Sequence, residues 1–338
     1  MPSTALQKPL LALLLVAAIA FPVIAANDYY IYVMSLAYIM AIAAVGLNLI
    51  LGYTGQLNLA HAGFMAIGAY TVGILTVDYG VPYWIAFVIA GFLSAFIGVF
   101  AGLLSLRLKG HFFSIFTLCV GFIIYLIIEK WDALTHGTVG IIDIPAPTGI
   151  GPLRFDHTWS QYYLVLFFLV ASLWLMSRIV HSLLGRAFVA IRNSEDLAET
   201  LGISLMRTKV LAFVLSTFYA GMAGALYAGF VRFIGPGMAL ESHTFDMIAF
   251  ILVGGIGTLF GPLLGAILLT WLTQSLQFLQ DYRMIIFGPL LILLVMYFPQ
   301  GLIGYYRERQ IKRAAASVQD RRLQRAVLGS GQEARTNA

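Results

Sequence analysis

Apolar stretches of membrane-crossing length follow one another along this chain with only short polar interruptions, and that succession decides what it can fold into. The hydrocarbon core of a bilayer is about 30 Å thick and takes roughly 17 to 25 predominantly apolar helical residues per crossing. Inside it each segment must satisfy its own backbone amides and carbonyls, so the stretches are read as helices. The pattern predicts an all-α integral membrane protein with about ten transmembrane helices. They are expected over residues 10–26, 31–51, 62–77, 83–106, 112–129, 161–179, 210–231, 245–259, 261–279 and 284–300. Of these, 62–77, 245–259 and 261–279 lack a full-length apolar run. Only 10% of the 338 residues are charged and 60% are hydrophobic, too few charges to cover a water-soluble surface.

Lysine and arginine set the orientation, because positively charged segments stay cytoplasmic. Arg107 and Lys109 mark one inner turn, and Arg178, Arg186, Arg192, Arg207 and Lys209 a second, longer one. Arg307, Arg309, Lys312, Arg313, Arg321, Arg322, Arg325 and Arg335 mark the tail. Segment 130–160 sets Lys130 and Arg154 against Asp132, Asp143 and Asp156 and reads as an external loop. Both termini are then cytoplasmic. The chain divides into a transmembrane domain over 1–306, with a cytoplasmic loop at 180–209, and a basic cytoplasmic tail over 307–338 whose polar, aromatic-poor composition predicts disorder. Lys8, a short apolar core and FPVIAAN also fit a secretory signal peptide; retention of residues 1–26 is the expectation, and cleavage would leave the other spans in the same orientation. The net charge of +5 follows from this orientation and is no sign of nucleic acid. The single cysteine, Cys119, rules out a disulfide framework and reads as a small buried hydrophobe.

Ionisable residues at membrane depth mark proton relays and charged filters. None occupies the middle of an expected span, and Glu129 and Asp246 fall at span ends. No GxxxxGK[ST] loop occurs, no lysine follows a glycine, and HExxH, GxSxG and Cys/His metal spacings are absent. No catalytic residue, metal ligand or cofactor is expected, and whatever powers motion comes from outside this chain.

GYTGQLNLAHAGFMAIGAY, residues 52–70, breaks the apolar run with glycines and polar side chains. An interrupted helix is tolerated in lipid only where its freed backbone faces protein or a water-filled cavity, and transporters put their sites at such breaks. Gly52 and Gly55 let the chain turn or a neighbour approach. Gln56, Asn58 and His61 can bond to the freed groups, while Gly63, Gly68 and Ala69 begin a small-residue packing face. Two readings stay open: the break lines a translocation path or moves in gating, or the same side chains satisfy a tight turn. FILVGGIGTLFGPLLGAIL at 250–268 repeats the spacing, with Gly52, Gly55 and Leu57 against Gly254, Gly257 and Leu259. With Gly255 and Gly261–Pro262 it predicts a second discontinuity paired with the first. Gly221 and Gly224 read as helix-packing positions. In the long inner loop, Ser194 reads as an N-cap, Glu195 and Asp196 as a first turn and Gly202 as a stop, a short helix across the membrane surface. Leu197, Ala198 and Leu201 give it an apolar face on which a partner protein can dock.

GYTGQLNLAHAGFMAIGAY, GRAFVAIRNSEDLAETLGI, AFVLSTFYAGMAGALYA and TFDMIAFILVGGIGTLFGPLLGA, in that order, closely resemble the membrane-spanning permease subunits of branched-chain amino-acid ABC importers, in particular the M-type permease. The resemblance spans residues 30–305. It implies a multi-pass permease of the bacterial inner (plasma) membrane. Its implied partners are a homologous second permease subunit, two cytoplasmic ATPase subunits that bind the ATP, and an external solute-binding protein. Glu195, Asp196, Glu199, Gly202 and Ile203 match the family's ATPase-coupling segment, with Arg186 and Arg192 beside it. Alternating access would then use the glycine breaks, including Gly52, Gly55, Gly254, Gly255, Gly257 and Gly261, as hinges. Leucine, isoleucine and valine rank first as cargo. Related permeases for urea, amides or aromatic acids share these motifs, and a stand-alone secondary carrier is the reading from another class.

Overall fold

The computed structural model describes residues 15–275, apart from 26, 106–107, 109, 150–154 and 156, together with 301 and 304. The expected span 284–300, the end of 261–279 and the tail 307–338 lie outside the described residues. Helices make up the fold in the order α1 Leu15–Ile24, α2 Asp28–Asn48, α3 His61–Gly73, α4 Tyr83–Ser105, α5 His111–Lys130, α6 Asp132–Thr135 and α7 Thr158–His181. There follow α8 Leu183–Asn193, α9 Glu195–Thr200, α10 Leu205–Val231, α11 Glu241–Gly254 and α12 Gly261–Ser275. Two π turns, Leu49–Tyr53 and Ile74–Asp78, extend α2 and α3. Among the described residues the β pairing is one isolated bridge, Ile141 to Ile234.

Five of these helices, counting α2 with its π turn, are long and apolar enough to cross a bilayer: α2, α4, α5, α7 and α10. They are not equivalent. In an 18-residue stretch of each, 83% of α2 and 61% of α10 are buried, against 28% of α5. α2, α3 and α10 therefore form the centre, with α4, α5 and α7 around it. Small residues make the centre tight, because association within lipid depends on close packing and hydrogen bonds rather than on expelling water. Gly68 of α3 lies on the backbone of Gly221 in α10, and Gly224 lies on the Met65 carbonyl; a methyl at either glycine would overlap those atoms. Ser94 of α4 donates to the carbonyls of Phe64 (3.0 Å) or Thr217 (2.9 Å), where α3, α4 and α10 meet.

The expected elements shift in three places. The span 245–259 stops at Gly254, because Gly255 takes a φ of +125° that ends the helix. The loop 180–209 holds two helices, α8 and α9, rather than one, and α10 begins at Leu205 instead of 210. Cys119 is exposed on the outer face of α5, not buried: a bilayer-facing surface is as apolar as a core, so hydrophobic neighbours do not imply burial there.

α1 is bound into the bundle through its proline. Pro22 has no amide proton, which leaves the Ala18 carbonyl without its usual donor four residues on. The buried Tyr162 hydroxyl donates to that carbonyl at 2.7 Å, and the Tyr163 hydroxyl donates to Ile19 at 3.0 Å. Phe21 stacks on Tyr162 with ring centroids 6.1 Å apart. Tyr162→Phe keeps the ring and removes the donor, so a loss of about 1 kcal/mol is expected. It would be read as a lower unfolding midpoint in detergent.

Candidate functional site

The chain between the Leu49–Tyr53 π turn and α3 is the first of two breaks, and its freed backbone groups are satisfied one by one. The Thr54 hydroxyl donates back to the Leu49 carbonyl at 3.1 Å, and the Gln56 amide donates to Ile50 at 3.0 Å. The Asn58 side-chain oxygen accepts from the Ala60 amide at 3.0 Å. Neighbouring helices supply the rest: Thr117 of α5 accepts from the Leu59 amide at 3.1 Å, and Thr244 of α11 accepts from the Ala62 amide at 3.0 Å. His61, fully buried, sets Nε2 2.9 Å from the Ala43 carbonyl and Nδ1 3.5 Å from the Ser216 hydroxyl, joining α2, α3 and α10. Gly63 packs on Ile124 of α5. Asn58 Nδ2 and Gln56 Oε1 are buried and have no hydrogen-bond partner among the described residues.

The second break, residues 255–260, lies between α11 and α12 and is clamped to the first. Asn48, at the end of α2 and only 2% exposed, uses both ends of its amide. Nδ2 donates to the Thr258 carbonyl at 2.8 Å, and Oδ1 accepts from the Gly257 amide at 3.0 Å. Gly52, one turn further on, lies so close that a methyl there would overlap Asn48 Oδ1 and come within 2.6 Å of the Gly257 nitrogen. The Thr258 hydroxyl closes the turn by donating to Gly255 (2.8 Å) and accepting from Gly261 (3.1 Å). Gly254 lies against the Gly261 carbonyl, and Gly265 against that of Phe250, so α11 and α12 cross at backbone contact.

The loop helices reach the same place. Ser194 ends α8 and caps α9, its hydroxyl accepting from the Leu197 amide at 3.3 Å. α9 closes in a Schellman pattern, with Gly202 donating to Glu199 (2.9 Å) and Ile203 to Ala198 (3.0 Å), at a Gly202 φ of +83°. Lys209 of α10, nearly buried, meets Glu195 at 2.7 Å and ties α9 to α10. Ala198 faces inward, while Leu197 and Leu201 stand 61% and 71% exposed. Arg186, Asp196 and Glu199 are also exposed. Arg192, in the last turn of α8, does not simply face water: its Nη1 donates to the Gly52 carbonyl, and its side chain runs past Gly55 and Gly257.

The structure thus brings Gly52, Gly55, Gly257 and Arg192 together, sets Gly254, Gly255 and Gly261 just beside them, and puts Asn58, His61 and Gly63 on the inner side of the first break. Sequence reasoning missed Asn48, Thr117, Thr244 and Thr258. Asn48 alone had a visible signal, a single amide within the apolar run AAVGLNLIL.

A helical bundle of membrane-crossing length, with paired interruptions clamped together beneath a surface helix, is the architecture of a polytopic transport protein. The chain belongs to the family described as branched-chain amino acid transport system / permease component, whose model matches residues 29–295. It is 35% identical to the high-affinity branched-chain amino acid transport system permease protein LivM of Escherichia coli K12, over 93% of this chain and 79% of that one. It is 36% identical to LivM of Salmonella typhimurium over 90% and 77%. LivH of Escherichia coli K12, a second permease protein of that system, is 25% identical over 78% of this chain and 91% of its own. No solved structure matches the chain.

Proposed function

We propose that this chain is the membrane-spanning permease subunit of an ABC importer that carries branched-chain amino acids across the bacterial inner membrane by alternating access. The observation that carries this reading is α9: a capped helix with Leu197 and Leu201 bared to solvent, at the end of the bundle where both glycine breaks lie. That end carries Arg178, Arg186, Arg192 and Arg207, which supports a cytoplasmic position. ATPase subunits gripping α9 would supply the force, ATP being bound by them and not by this chain. The similarity to both LivM and LivH supports pairing with a homologous second permease, and an external solute-binding protein would deliver the cargo. The gate is assigned to the clamped breaks, where glycine contacts let rigid helices rock against each other. ATP-driven leucine uptake is expected in proteoliposomes holding this chain, the second permease and the ATPases, with binding protein outside. Uptake by the purified chain alone would overturn the reading.

A further inference from the structure

We infer that Arg192 is a mechanical latch: it fastens the α8–α9 segment to the two glycine breaks, so that movement of α9 is passed to α2 and to the α11–α12 turn through one guanidinium. The inference rests on the importer reading for its purpose, but its geometry stands without it.

Three contacts converge on this side chain. Nη1 donates to the Gly52 carbonyl, in the π turn at the end of α2. The stem lies against Gly55, whose added methyl would come 3.1 Å from Arg192 Cγ. The same guanidinium nitrogen is 2.6 Å from where a Gly257 side chain would begin. Gly257 is itself held to α2 by Asn48. Three segments far apart in sequence, 48–55, 192 and 257–258, thus meet at one charged group, and glycine at each approach keeps the space open. A charge-assisted bond to a carbonyl at a helix end is the stronger kind of hydrogen bond, and the C-terminal end of a helix favours a cation. Arg192 as a whole is exposed, so the bond can break and reform without stranding a buried charge. The second tether, Lys209 to Glu195, holds α9 to α10. Arg192 is therefore a positioning residue: it acts on the gate through the Gly52 carbonyl and needs no contact with cargo or ATPase.

Two variants separate a latch from a surface charge that greets a partner. Arg192→Gln removes the charge-assisted donor, and Gly257→Ala keeps every charge but fills the guanidinium's space. Spin labels at Leu57→Cys and Leu201→Cys, in the full-length chain with Cys119→Ala, report the distance between the first break and α9. A narrow distance distribution is expected for the parent, and a broadened one in both variants, from a shift of roughly tenfold or more in the latched-to-free ratio. In the reconstituted importer both variants are expected to keep basal ATP hydrolysis and ATPase association and to lose at least about tenfold of the cargo-dependent stimulation. Unchanged distances in Arg192→Gln would overturn the latch, as would loss of ATPase association in that variant, which would make Arg192 a docking residue. If the parent chain has narrow distances but transports without ATPases, the importer reading fails and the latch survives.

Discussion

Gly224→Leu is expected to yield no folded protein, and Gly224→Ala to be severely destabilised. The Gly224 Cα direction points at the Met65 carbonyl oxygen, and the Ala69 amide nitrogen lies 2.9 Å from where a methyl would sit. The obstacle is backbone of α3, which cannot rotate aside as a side chain can. α3 and α10 would have to separate, and the neighbouring Gly68–Gly221 contact and the Ser94 bridge would open with them. Overpacking usually costs about 1–3 kcal/mol; here the alanine variant is expected at or above the top of that range. Gly237→Ala is the control, since nothing lies within 4 Å of its added methyl, and a change within about 0.5 kcal/mol is expected. The yield of monodisperse protein in detergent and its unfolding midpoint measure both. A Gly224→Ala protein as stable as the parent would mean that α3 and α10 do not pack as described.

Asn48→Leu is expected to leave the bundle assembled but to free the second break. The substitution preserves size while leaving the Gly257 amide and the Thr258 carbonyl without their partner. Each orphaned buried polar group costs about 1–3 kcal/mol. Asn48→Asp keeps the acceptor for the Gly257 amide and loses the donor to Thr258, so it adds a charge facing a carbonyl in a buried position. Both variants are expected to lose hydrogen-exchange protection at residues 255–260, with α3 and α10 unaffected, and to transport poorly in the reconstituted importer. Protection unchanged at the Gly257 amide would show that the clamp contributes nothing to holding the break.

Much of this fold is legible in local sequence, because its determinants are local. Hydropathy marks the long helices, Ser194 and Gly202 mark both ends of α9, and the glycine spacing marks the two breaks. What is not legible is which face of a helix meets which neighbour. α2 and α5 are both strongly apolar, yet one is central and the other peripheral, since lipid and protein interior reward the same side chains. Cys119 misled for that reason. The inward reach of Arg192 is hidden differently: a charged residue in a basic loop reads as orientation, and its acceptor is a carbonyl 140 residues away that no side-chain pattern announces. The polar residues of the first break also have a plainer part than their motif suggests. His61 spends both ring nitrogens on the Ala43 carbonyl and the Ser216 hydroxyl, and Asn58 spends its side-chain oxygen on the Ala60 amide.

α10 has 27 residues and so runs about 40 Å, some 10 Å more than the hydrocarbon layer it crosses. An overhang at its first turns would put Lys209, which grips Glu195, outside the lipid. A stiff rod with an overhang is a lever: a swing of about 10° moves its tip by roughly 7 Å over that length. Pushing sideways on α9 would thus displace the far rim of the bundle, around Val231 and the Ile141–Ile234 bridge, by a distance comparable to the width of an amino acid.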